Sequence, residues 1–161
     1  MRRLTLKKAK WYHSNSLIYQ NNELIGEYFP ESFRRPGMIL LNGREFTLKT
    51  ENVWKNKKML YLGNIPVANI SERSLKSETI IEMPGQGNFV LKQNIWKSLH
   101  TLQNEGKSIA EIKSKSFEKQ VTAGDQVNDA LLAAMLLTAI HRETIVLVFI
   151  ALIPVYIQLF N

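Results

Sequence analysis

The residues best suited to chemistry are cations, and many of them stand near aromatic rings. Arg2, Arg3, Lys7, Lys8 and Lys10 lead into Trp11 and Tyr12. Arg34 and Arg35 form a second group, and Lys55, Lys57 and Lys58 follow Trp54 as a third. Cations beside aromatics suit a membrane interface, where each Lys or Arg adds about 1 kcal/mol on anionic lipid. They also suit single-stranded nucleic acid, where rings stack on bases and cations meet phosphates. The bland alternative is a solvated surface that keeps the chain soluble. The net charge of +7 favours an anionic partner, because residues 1–60 hold twelve Lys/Arg against five Asp/Glu while the remainder is balanced.

Catalytic chemistry finds no comparable support. His13, His100 and His141 have no metal-ligand spacing, and each reads as a surface or loop histidine. No nucleophile elbow joins a Ser to a His and an Asp. Pro84-Gly85-Gln86-Gly87 is glycine-rich, but a strand pattern follows it, so it reads as a turn and not as a phosphate loop. Asp125 and Asp129 are four residues apart where helix capping explains them. Trp54 and Trp96 read as core or wall-packing residues. No cysteine is present, which excludes disulfides and thiolate chemistry. The expectation is a non-enzymatic protein with no metal and no cofactor.

The elements that carry these residues are repeated. Offset by 42 residues, Arg2-Arg3-Leu4-Thr5-Leu6-Lys7 falls on Arg44-Glu45-Phe46-Thr47-Leu48-Lys49, and with one residue of slip on Asn88-Phe89-Val90-Leu91-Lys92. Asn52-Val53-Trp54-Lys55 falls on Asn94-Ile95-Trp96-Lys97. Ile25-Gly26-Glu27-Tyr28, Val67-Ala68-Asn69-Ile70 and Ile109-Ala110-Glu111-Ile112 keep the same spacing. Such a period marks a repeated supersecondary unit. Alternation and turn residues predict four strands per unit, in the second unit roughly 45–50, 53–62, 65–71 and 79–83. Asn42-Gly43 predicts a two-residue hairpin turn, and Asn21-Asn22, Gly63-Asn64 and Glu105-Gly106 predict turns at equivalent places. Three units give about twelve strands, whose edges a closed barrel would hide.

The last third is apolar in two parts. Ala130 to Ile140 is rich in Ala, Leu and Met and apolar all round, which predicts a helix buried on every face, over about 127–142. Eleven residues span about 17 Å, too short to cross a bilayer, so enclosure by the barrel fits. Asp125 or Asn128 could cap it. After His141-Arg142-Glu143 comes a β-branched and aromatic run, 144–160, at the lower limit of a membrane span. It reads as a tail anchor or interfacial segment, with a buried structural element as the alternative. The basic N-terminus lacks the apolar core of a secretory signal, and with 144–160 as an anchor the positive-inside tendency puts the basic body on the cytoplasmic side of a membrane.

A twelve-stranded barrel threaded by an apolar C-terminal helix resembles the Tubby C-terminal superfamily, which includes the LURP-one-related proteins and the phospholipid scramblase-like barrels. The likeness rests on the strand rhythm, on glycine turns before elements such as Gly106-Lys107-Ser108-Ile109-Ala110-Glu111-Ile112, and on 129–140 as the central helix. It covers the chain to about Glu143. It implies a membrane-associated protein that binds or tethers to anionic phospholipid, with scramblase-like lipid movement as the stronger version. No basic phosphoinositide-binding constellation and no aspartate-rich calcium segment can be carried over. The rival fold is a β-trefoil with a hydrophobic oligomerisation tail, a soluble carbohydrate- or protein-binding module. The apolar tail favours lipid over nucleic acid as the partner.

Overall fold

A computed structural model describes residues 1–8, 15–32, 35–52, 57–73, 77–115 and 118–140. The chain runs β1 (Arg2–Lys8), β2 (Ser16–Gln20), β3 (Glu23–Phe29), β4 (Gly37–Leu41), β5 (Arg44–Asn52) and β6 (Lys57–Leu62). It continues as β7 (Ile65–Arg73), β8 (Glu78–Met83), β9 (Gly87–Asn94), β10 (Leu99–Asn104), β11 (Lys107–Lys115) and β12 (Glu118–Ala123). A helix, α1, follows over 129–140. Each strand pairs antiparallel with its sequence neighbours, and β1 pairs with β12, so all twelve strands form one closed barrel. Closure removes every sheet edge.

The wall follows the period-two pattern. Leu4 and Leu6 of β1, Phe46 and Leu48 of β5, and Phe89 and Leu91 of β9 are all buried. Their neighbours Arg3, Lys7, Glu45, Thr47 and Lys92 lie on the outer face. Four register shifts interrupt the ladders, one at Thr50/Asn52 near the end of β5 and three at Ile18/Tyr19, Leu60/Tyr61 and Leu102/Gln103. Opposite each of the last three, one residue is left over on the partner strand: Ile25, Val67 and Ile109. The small residues Gly26, Ala68 and Ala110 come next. Bulges bend a strand and add twist, which curves a sheet toward closure.

Helix α1 fills the barrel. Residues 131–139 are each at most 2% exposed, and all but Thr138 belong to the same buried hydrophobic cluster as the inward strand residues. Only a wall on all sides buries nine successive helical residues. A Cβ added to Gly37 in β4 would meet the Leu137 side chain at 3.4 Å, so helix and wall are in close contact there. Asn128 is the N-cap: its side-chain oxygen accepts from the Leu131 N–H at 2.9 Å. Asp125 lies in the preceding turn, where its carboxylate meets the Met1 amine.

The rims differ. Strand alternation brings the tight turns Asn21-Asn22, Asn42-Gly43, Gly63-Asn64, 84–86 and Glu105-Gly106 to one rim, together with the entry to α1. Asn42 and Gly43 both have positive φ, as a two-residue hairpin turn requires, and Gly85 and Gly87 make 84–87 the expected turn. The opposite rim carries the start of β2, β4, β6, β8, β10 and β12, and α1 points toward it.

The trefoil expectation is overturned. A trefoil splits its strands between a small barrel and a hairpin cap, whereas here all twelve share one cylinder with a helix inside. His100 is also not a surface or loop histidine. It is 1% exposed, because it shares the inward face of β10 with Leu102. Among the described residues no helix is long and apolar enough to cross a membrane. The expected anchor, 144–160, lies outside the described residues, as do His13, His141, Tyr12 and Trp54.

Candidate functional site: the basic rim

Six cations sit at the rim opposite the tight turns. Lys8 ends β1, Lys57 begins β6, Arg73 ends β7 and Lys115 ends β11. Arg35 lies between β3 and β4, and Lys97 lies between β9 and β10. All six are exposed, and none has an ion-pair partner among the described residues. Acids on the same half are largely engaged. Glu118 pairs with Lys7 at 3.3 Å, Glu72 with Lys58 at 3.2 Å and Glu78 with Lys92 at 3.7 Å. At the turn rim the balance reverses, with Glu23, Glu82, Glu105, Asp125 and Asp129 against Arg2, Arg3, Arg44 and Lys107. Among the described residues, charge thus differs between the two ends of the cylinder.

The sequence-derived cations divide accordingly. Lys7, Lys8, Arg35, Lys57 and Lys58 come together on the half with the basic rim. Lys58 is only 10% exposed and held by Glu72, so it is a wall residue first. Arg2 and Arg3 lie at the opposite rim. Lys10, Trp11, Arg34 and Lys55 lie outside the described residues. Arg73, Lys97 and Lys115 were missed by sequence reasoning. Their signal was available as positions at strand ends separated by even numbers of strands.

Arg2 has a structural task. Its guanidinium donates to Asp129 at 2.8 Å, and the Asn42 amide donates to the other carboxylate oxygen at 3.0 Å. Asn128 donates to the Gln86 side-chain oxygen at 2.8 Å. The start of the helix is therefore tied to β1, to the β4–β5 turn and to the β8–β9 turn. Burial alone would raise the Asp129 pKa. The hydrogen bonds from Asn42 and Arg2, and the charges of Arg2 and Arg44, outweigh it and hold the carboxyl below its ordinary value. A depressed folded-state pKa means stability that is present above the unfolded value near 4 and lost as pH falls through the folded one. Asp129→Asn is expected to cost about 2 kcal/mol at pH 7. The gap between parent and variant should close as pH drops below about 4, which urea melts between pH 7 and pH 2.5 would read. A pH-independent gap would remove the carboxylate from this role.

An outer groove of about 500 Å³ runs along β4 and β5. Phe29, Pro30, Pro36, Met38 and Thr47 are among the residues that line it. Arg35 and Lys49 bring positive charge, and Glu31 and Glu45 bring negative charge. Ser32 and Arg35 exchange two backbone hydrogen bonds, of 2.9 and 3.1 Å, which fixes the groove's edge at the basic rim. Lys49 also lies over the Tyr61 ring, 4.9 Å from its centroid. The mixed lining suits a zwitterionic or amphipathic contact better than a bare anion.

Trp96 departs from the expectation of a packed tryptophan. It is 98% exposed, in a 3-10 turn, Ile95–Lys97, that leaves β9 at the basic rim. In a strand it would have faced the wall or the core; in this turn it has neither. Among the described residues no three His, Asp or Glu side chains converge as a metal site. The fold defines a class, a closed antiparallel meander barrel plugged by its own helix. No family model, no curated protein and no solved structure matches this chain.

Proposed function

We propose that the protein is a membrane-associated, non-enzymatic barrel whose basic rim faces anionic phospholipid. The observation that carries this reading is the coincidence of three things at one rim. Six exposed cations without an ion pair among the described residues gather there, α1 points there, and the apolar run 144–160 follows α1 in sequence. Lipid binding or tethering is the activity; scramblase-like movement of lipid would be its extension. The body, 1–143, belongs on the cytoplasmic side, and 144–161 serves as its anchor. We further propose that the barrel is three copies of a four-strand unit, as in the Tubby-like, LURP-one-related and scramblase-like proteins it resembles. The bulges at Ile18/Tyr19, Leu60/Tyr61 and Leu102/Gln103, spaced by one period, support that reading.

Vesicle flotation tests the function. The full chain should float with vesicles containing phosphatidylserine, and less with phosphatidylcholine alone. Deleting 144–161 should move most of it to the bottom fraction. Lys8→Ala with Lys57→Ala should cost about 2 kcal/mol, or roughly 30-fold in partitioning, with the loss shrinking at high salt. A full chain that stays at the bottom with both vesicle types would sink the reading.

A further inference from the structure

We infer that the turn Ile95–Lys97 is a membrane-dipping anchor, with Trp96 seated in the interfacial zone of an anionic bilayer. The inference rests on the membrane reading above and adds to it a contact that no cation supplies. Trp96 is the most exposed large apolar side chain in the described residues at 98%, and Ile95 beside it is 51% exposed. Side by side, the two form an exposed apolar patch, and at 98% exposure the ring packs on nothing among the described residues.

The backbone under the ring is fixed. The Asn94 side chain accepts from the Lys97 N–H at 3.1 Å, and Ser98, in the left-handed region, donates its N–H to the Ile95 carbonyl at 3.2 Å. The Ser98 carbonyl in turn accepts from Ser114 of β11 at 3.0 Å, which ties the turn to the wall. The ring is therefore presented at little further cost in backbone entropy.

The surroundings select the occupant. Lys97 adjoins the ring and Lys115 ends β11, which pairs with β10 just after the turn. An apolar ring with a polar N–H, framed by cations, matches the layer between acyl chains and anionic headgroups. A protein partner with an apolar pocket would have no need of the positive frame.

The test uses the full chain and vesicles of phosphatidylserine and phosphatidylcholine carrying shallow bromine labels. Trp96→Ala is expected to weaken partitioning roughly tenfold and to leave the thermal midpoint unchanged, since the side chain touches no core. In parent protein, bromine should quench tryptophan emission, and Trp96→Phe should remove most of the quenched portion while Trp11 and Trp54 remain. A parent chain that floats while both variants match it in affinity and quenching would overturn the anchor and leave the basic rim standing. Unchanged vesicle affinity with lost self-association in Trp96→Ala would overturn it too, giving the turn to a second copy of the chain. A parent chain that does not float removes both readings.

Discussion

Leu132→Asp is expected to abolish cooperative folding. Leu132 is fully buried within α1, itself enclosed by the wall. A carboxylate there would be enclosed by the apolar side chains of the buried cluster. The penalty for an uncompensated buried ion is several kcal/mol, added to the loss of a packed leucine at about 2–5 kcal/mol. A domain of this size holds about 5–15 kcal/mol in total. The variant should show no near-ultraviolet circular dichroism and no sigmoidal urea transition. Leu132→Ala supplies the control, folded but weaker by about 3 kcal/mol. A Leu132→Asp protein with the parent's urea midpoint would mean that α1 does not lie inside the barrel.

Gly26→Ala should be the most damaging single-methyl change in the wall. A Cβ at Gly26 would fall 2.1 Å from the Leu40 carbonyl oxygen, and that neighbour is backbone, which cannot swing aside. The strands must separate or the bulge must shift, at about 3 kcal/mol. Gly63→Ala makes the informative comparison. Gly63 has open space around it but a φ of +60°, so only conformational strain of about 1–2 kcal/mol opposes alanine. Thermal melts of the two should rank Gly26→Ala clearly lower. Equal midpoints would mean that β3 and β4 are not packed as closely as described.

These two sites illustrate what could be read before the structure. The apolar, Ala-rich 130–140 run announced a helix buried on all faces, because nothing in its composition offers a wet side. Asn42-Gly43 announced its hairpin, because few residue pairs adopt two positive φ values in succession. The Ile25-Gly26, Val67-Ala68 and Ile109-Ala110 elements were visible as a recurring pattern, but not as bulges. Their meaning depends on the register of a partner strand, which no local pattern encodes. His100 was misread because a single polar residue in an alternating stretch looks like an interruption. The parity it shares with Leu102 was the signal that outweighed its polarity.

The candidate site was legible only in part, for a geometrical reason. Neighbouring cations such as Arg3 and Lys8 are close in sequence yet end up at opposite rims, because a strand separates them. Lys57, Lys97 and Lys115 are far apart in sequence yet share a rim, because intervening strand pairs return the chain to the same side. Trp96 was assigned to packing on the general habit of tryptophan. The 3-10 turn that carries it outward depends on Asn94 and Ser98, and their capping geometry is seen only once the chain is folded.

The order of the parts has a consequence for how the molecule comes into being. The helix that fills the cylinder comes after every strand of its wall, and the tie between Arg2 and Asp129 joins residues 127 positions apart. The seam between β1 and β12 is likewise among the most distant pairings in the chain. During synthesis, an incomplete sheet with two bare edges and an unfilled apolar interior must therefore wait for its last element. Such a chain folds slowly for its size and is most prone to aggregate in that interval. Its burden is kinetic: the wall has to assemble around a plug that is made after every one of its strands.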